Sequence, residues 1–207
     1  MRRSTLAAAL APVLAFAAIT FGSTREAAAG PVVDLDLHLG TAFQSDGVSR
    51  IDFSLGGGVN VGYRFNFPHT IVYLQPEIGG HYMRFGFNAD AAGYDYAGIL
   101  NAGVKVGLQG IVQPNAFAHV GLGIMGWSDP YGGALGGQLG PEFDLGLGLD
   151  FKIARNFTLG ANIAYNSVVM TDAAGPAAAK WLSFGIKAAF LFGEPAAHVR
   201  VRRVRYY

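Results

Sequence analysis

From Val33 onward one pattern recurs along the chain: an apolar side chain, then a polar or small one, then an apolar one, over eight segments separated by turn-rich stretches. Two is the period of a β-strand, whose successive side chains point to opposite faces. The cleanest case sets Phe143, Leu145, Leu147, Leu149 and Phe151 against Glu142, Asp144, Gly146, Gly148, Asp150 and Lys152. A helix would scatter those five apolar residues around its whole circumference, whereas a strand gathers them on one side. The pattern predicts an all-β chain of eight antiparallel strands near 33–41, 52–66, 72–82, 100–109, 116–125, 142–152, 157–166 and 181–192.

Strand length and connections narrow the architecture. Most segments run to about 9 to 14 residues, longer than a typical globular strand and suited to a tilted strand crossing a bilayer. Short turns near 66–69, 110–115 and 154–156 alternate with long loops at 43–51, 86–97, 128–140 and 170–180. This alternation is that of an up-and-down barrel with its termini at the short-turn end. Aromatic residues gather toward the strand ends, among them Phe43, Tyr63, Phe65, Tyr82, Phe151, Phe157, Trp181 and Phe192, where membrane interfaces favour them. Pro76 interrupts the third segment and predicts a bulge there, because it removes a ladder donor.

Composition settles which face is solvated. Charged residues make up only 14% of the chain, and Gly supplies 30 of its 207 residues. The polar faces carry mostly Gly, Ala, Ser and Asn, too few charges for the outside of a water-soluble barrel. Small residues suit the narrow interior of eight strands. The charges that do fall there are Asp34, Asp36, Glu77, Glu142, Asp144 and Asp150 against Arg64, Lys105, Lys152 and Lys187, with His38, His81 and His119 among them. Buried charges need partners, so these residues are expected to form a structural network in the lumen. Projecting the pairing from loop midpoints places Glu77 beside Lys105, Asp150 near His119, and Lys187 near His38 and Asp36 across the closing seam.

Both ends of the chain read differently from its middle. Arg2 and Arg3, an apolar run from Leu6 to Phe21 and Ala27-Ala28-Ala29 have the form of a secretory signal peptide covering 1–29, which leaves 30–192 as the barrel. The tail 193–207 carries Arg200, Arg202, Arg203 and Arg205 against Glu194, while the barrel segment holds 8 basic and 12 acidic residues. Such a basic arm on the periplasmic side suits contact with an anionic surface such as the cell wall, or none beyond solvent. With no cysteine, the chain forms no disulfide or thiolate metal site.

The last strand, Ser183-Phe184-Gly185-Ile186-Lys187-Ala188-Ala189-Phe190-Leu191-Phe192, resembles the terminal signal of OmpA-type eight-stranded outer-membrane barrels, the group with OmpX-like and OmpW-like members. Ala188 stands where that pattern favours a larger apolar residue, and residues 193–207 follow the final aromatic. The resemblance implies an outer-membrane protein that meets lipid, lipopolysaccharide and the barrel-assembly machinery. It further implies a structural, surface-binding or envelope-integrity role exercised through the outer loops. OmpW-like members suggest an alternative, a narrow passive channel for small or apolar solutes; a soluble lipocalin-like carrier is a third class.

Some barrels of this group modify lipid A with a serine, a histidine and an acid. Here His119 lies nine residues from Ser128, about 30 Å along a strand, and on the lumen face, so the two form no dyad. The five histidines never recur at close same-face spacing within one strand, so no metal site is expected. Asp46, Asp90, Asp95, Asp129 and Asp172 fall in the outer loops, where aspartates are ordinarily solvated. No catalytic residue, cofactor or nucleic-acid partner is expected, and a monomer is.

Overall fold

In the computed structural model the described residues are 29–43, 53–67, 69–85, 96–127, 136–169 and 178–192. They form β1 (Ala29–Phe43), β2 (Phe53–Asn66), β3 (Val72–Phe85), β4 (Tyr96–Leu108), β5 (Val112–Trp127), β6 (Gly136–Ala154), β7 (Phe157–Val169) and β8 (Ala178–Leu191). Each strand pairs antiparallel with the next, and β8 pairs with β1 to close an eight-stranded barrel. The seam is continuous, with Asp36 opposite Lys187 in register and the Phe192 amide donating to the Pro31 carbonyl at 2.8 Å. The proposed leader to residue 28, the four long connections with Ser128 and their aspartates, and the tail 193–207 lie outside the described residues.

Five strands begin earlier than their alternation suggested, β1 at Ala29, β4 at Tyr96 and β8 at Ala178 besides β5 and β6. β5 starts at Val112 and β6 at Gly136, because parity persists through residues whose Gly and Pro content reads as turn. Gln113 and Asn115 face inward while Val112 and Pro114 face outward, so the short connection spans only 109–111. Pro76 does not produce the expected bulge. Its ladder to β2 keeps one register on both sides, from Gly62 opposite Glu77 to Phe65 opposite Leu74, and only the pairing between them is missing. The β3 chain omits the bond that Pro76 cannot donate without inserting a residue. The register shift in the barrel falls instead between Lys152 and Ala154, beside the tight turn at 155–156. His69, with φ 62°, takes the left-handed conformation that closes the β2–β3 turn.

The two faces of the sheet have opposite chemistry. Outward stand Leu37, Val61, Ile78, Leu100, Val120, Leu145, Ile163 and Ile186, all exposed, while the inward positions between them carry the buried polar residues. A soluble carrier barrel needs the reverse, an apolar interior and a charged exterior. Aromatic pairs rim the belt at both ends. Tyr63 packs on Phe65 at 4.9 Å and Phe157 on Phe190 at 5.1 Å toward the short turns, while Tyr82 stacks on Tyr96 at 6.3 Å and Phe143 meets Tyr165 at 6.0 Å toward the long loops. Trp181 corrects the interfacial expectation: it turns inward and is 2% exposed.

The belt makes a depth-dependent prediction. Leu145 lies at the middle of β6 with 61% of its surface exposed, and Ile111 lies at a short turn with 78% exposed. Leu145→Arg is expected to cost about 2–4 kcal/mol of unfolding free energy in lipid vesicles, and Ile111→Arg about 0–1 kcal/mol. Equal costs at the two positions would mean that the apolar belt does not face hydrocarbon.

Candidate functional site: the barrel lumen

Inward parity builds the lumen in layers. At the long-loop end, Met83, Phe85, Ala97, Ile99, Met125, Val168 and Trp181 form a buried apolar cluster. Phe85 meets Trp181 edge to face at 5.7 Å. Because β3, β4, β5, β7 and β8 all contribute, the cluster crosses the bore and plugs it. At the terminal end, Val32, Ala189 and Leu191 make a smaller apolar group. Between them lie the charges.

Lys105 on β4 is the centre of the middle layer. Its ammonium pairs with the Asp34 carboxylate on β1 and lies 3.0 Å from Glu77 Oε2 on β3. Gln75 Nε2 donates to the same Glu77 oxygen at 2.6 Å and to Asp34 at 3.3 Å. Arg64 donates from Nε to Gln75 Oε1 at 3.0 Å and from Nη1 to Gln113 Oε1 at 3.2 Å, and its guanidinium lies 4.2 Å from the centre of the Tyr73 ring. An amide and ring cradle thus holds Arg64.

The network continues through His119. Its Nε2 lies 2.8 Å from Glu77 Oε1 and its Nδ1 2.7 Å from Asp144 Oδ1, an arrangement that a ring carrying both protons serves with two donors. Asn101 donates to the other Asp144 oxygen at 2.8 Å. The expected neighbour of His119 was Asp150; the structure corrects this to Asp144, because the longer β5 and β6 bring His119 opposite Asp144 and Gln113 opposite Asp150.

Lys187 stands opposite Asp36 across the seam, as the projected pairing has it, and its Nζ lies 3.0 Å from Asp150 Oδ1 on the other side. The intervening strand explains the choice. Gly160 stands between Asp150 and Lys187 in register, and a Cβ there would come within 2.1 Å of Asp150 Oδ1, so only a glycine lets the two side chains meet across β7. Asn115 supplies Asp150 with a further hydrogen bond at 3.1 Å. Lys152 is half-buried near the short-turn end.

Asp36 joins a different group. Its carboxylate accepts from Asn60 Nδ2 at 3.1 Å and from Asn162 Nδ2 at 3.3 Å. Asn60 Oδ1 in turn lies 3.2 Å from His81 Nε2, and the His38 and His81 rings sit 5.5 Å apart. Asp36 and His38 on β1 therefore meet His81 on β3 in space, an assembly that spacing within one strand cannot reveal. They line one side of a lumen cavity of about 40 Å³ whose other walls include His119, Asp144 and Trp181.

Breaking the network at its centre gives a measurable cost. Removal of one partner from a buried ion pair leaves the other charged and unpaired, typically at about 3–5 kcal/mol. Lys105→Met is expected to destabilise the barrel by that order in denaturant titrations. Combining Lys105→Met with Glu77→Gln should cost less than the sum of the single changes, and strict additivity would show that the pair is not coupled.

No family model and no curated protein matches the chain. Solved structures do. Neisserial surface protein A is similar at a TM-score of 0.56 and 16% identity, over 79% of this chain and 99% of that one. Ail, the attachment invasion locus protein of Yersinia pestis, is similar at 0.49 and 17% identity over 81% and 100%, and the outer membrane enzyme PagL at 0.48 and 14% over 76% and 98%. Shared topology, with so little shared sequence, makes the chain an eight-stranded antiparallel β-barrel of the outer-membrane type.

Proposed function

We propose that this chain is an integral outer-membrane protein whose role is structural, surface-binding or protective of the envelope, exercised at its outer loops and not through its bore. One observation carries the reading: the lumen is filled. An apolar cluster lies above a layer of paired charges, and the cavity that adjoins them is about 40 Å³. Such an interior argues against the passage of solutes larger than a few waters. The exposed apolar belt with its two aromatic rims supports membrane insertion, and lipid and lipopolysaccharide follow as its neighbours.

The lumen also supports a non-enzymatic reading. Both nitrogens of His119 face carboxylates, which leaves the ring no free position from which to activate a nucleophile. The basic tail fits the same scheme as a periplasmic arm toward the cell wall, and the final strand as the segment recognised by the assembly machinery.

Planar-bilayer recording tests the proposal. The purified barrel, shown to be folded by a mobility difference between boiled and unboiled samples, is expected to give no unitary conductance steps. Reproducible steps from the folded protein would replace this reading with that of a narrow channel. A chain that folds in buffer without detergent or lipid would overturn the membrane reading itself.

A further inference from the structure

The lumen contains more negative than positive charge. Its buried carboxylates are the six already named, whereas its buried Lys and Arg side chains are the three residues Arg64, Lys105 and Lys187. With His119 doubly protonated between Glu77 and Asp144, the described interior still lacks positive charge. The deficit is spatially uneven. Lys105 serves Asp34 and Glu77, Lys187 serves Asp150, and His119 serves Asp144, whereas Glu142 makes no ion pair among the described residues and Asp36 receives only two amide hydrogen bonds.

Two imidazoles stand beside that carboxylate. One nitrogen from His38, one from His81 and one oxygen of Asp36 all lie within 4.8 Å of one another. His38 is 8% exposed and neither of its ring nitrogens has a hydrogen-bond partner. A buried polar group left this way is costly, so a ligand that takes up the His38 lone pair would be favoured here. Gly58 lies against the second ring, where a Cβ would come within 2.2 Å of His81 Nδ1. The adjoining cavity of about 40 Å³ leaves room for an ion and for water on its open side.

We propose that Asp36, His38 and His81 form a binding site for a first-row transition-metal dication of the Zn²⁺ type. Two imidazoles and a carboxylate with open positions are a donor set for such ions, whereas Ca²⁺ and Mg²⁺ take oxygen donors. The ion would neutralise a carboxylate that makes no ion pair among the described residues and take up one of the two unpartnered nitrogens of His38. Asn60 and Asn162, which donate to Asp36, hold its carboxylate in place as outer supports. Because His38 is on β1 and His81 on β3, with β2 between them, the ion ties together strands that do not touch in the sheet.

The test uses the full, untagged chain refolded in detergent micelles with Co²⁺ or Zn²⁺ present, since a plugged lumen loads best during folding. After gel filtration, one metal per folded chain is expected, with the visible ligand-field absorption of Co²⁺ bound to nitrogen and oxygen. His38→Gln and His81→Gln should each weaken binding by at least about tenfold. The change His69→Gln, at the β2–β3 turn outside the lumen cluster, should leave it intact. A folded wild-type barrel that retains no metal overturns the proposal, as does full retention by the double variant His38→Gln/His81→Gln. Should those variants fail to fold, X-ray absorption on the metal-loaded wild type reads the ligands directly, and a spectrum without two imidazole nitrogens rejects the site.

Discussion

An eight-stranded barrel is too narrow to hold bulk water, so an inward polar side chain left without a match across the bore is costly. That constraint organises most of the interior. Lys105 reaches the adjacent β3 and, across the bore, β1 to satisfy Glu77 and Asp34; His119 spans Glu77 and Asp144; Lys187 crosses a glycine to reach Asp150. Where no charge is placed, at the long-loop end, Met83, Phe85, Met125 and Trp181 fill the space instead. The exterior obeys the complementary rule, because hydrocarbon tolerates apolar side chains and satisfies no backbone group, which forces the sheet to close on itself.

Much of this was legible in the residues, because a period of two assigns every position to a face. The eight strands follow from parity, their antiparallel order from the alternation of short and long connections, and the inward placement of Asp34, Arg64, Glu77, Lys105, His119, Asp144 and Lys187 from parity together with composition. What parity does not contain is register. His119 was placed near Asp150 because residues 136–140, rich in glycine, read as part of the long β5–β6 loop; once they extend β6, the midpoint of the hairpin moves and the partner becomes Asp144. The Asp36, His38 and His81 group escaped for a related reason, since it joins β1 to β3 and no single segment shows it.

The apolar plug illustrates a different limit. Met83 and Phe85 continue the inward parity of Tyr73, Gln75 and Glu77, and Met125 that of His119, so their direction was readable. Their meaning was not. Trp181 at the start of β8 looks like an interfacial aromatic by position, but its parity is that of Ser183, Gly185 and Lys187, and it joins Phe85 in the bore. Position along a strand suggests the membrane interface; parity decides between lipid and lumen, and here parity prevails.

The charges also fix the barrel against slippage. A one-residue shift of β6 would turn Asp144 and Asp150 into lipid and Leu145 and Leu149 into the lumen, a rearrangement that hydrocarbon resists strongly. A two-residue shift preserves both faces, so the apolar belt alone does not forbid it. It would, however, carry Asp144 and Asp150 about 6.6 Å along β6 from His119 and Lys187, and break both of those buried contacts. Buried ion pairs add little net stability over well-packed apolar residues, but they penalise every register except one. In a sheet whose outward residues are nearly interchangeable leucines, valines and isoleucines, the lumen network is what distinguishes the native pairing from its neighbours two residues away.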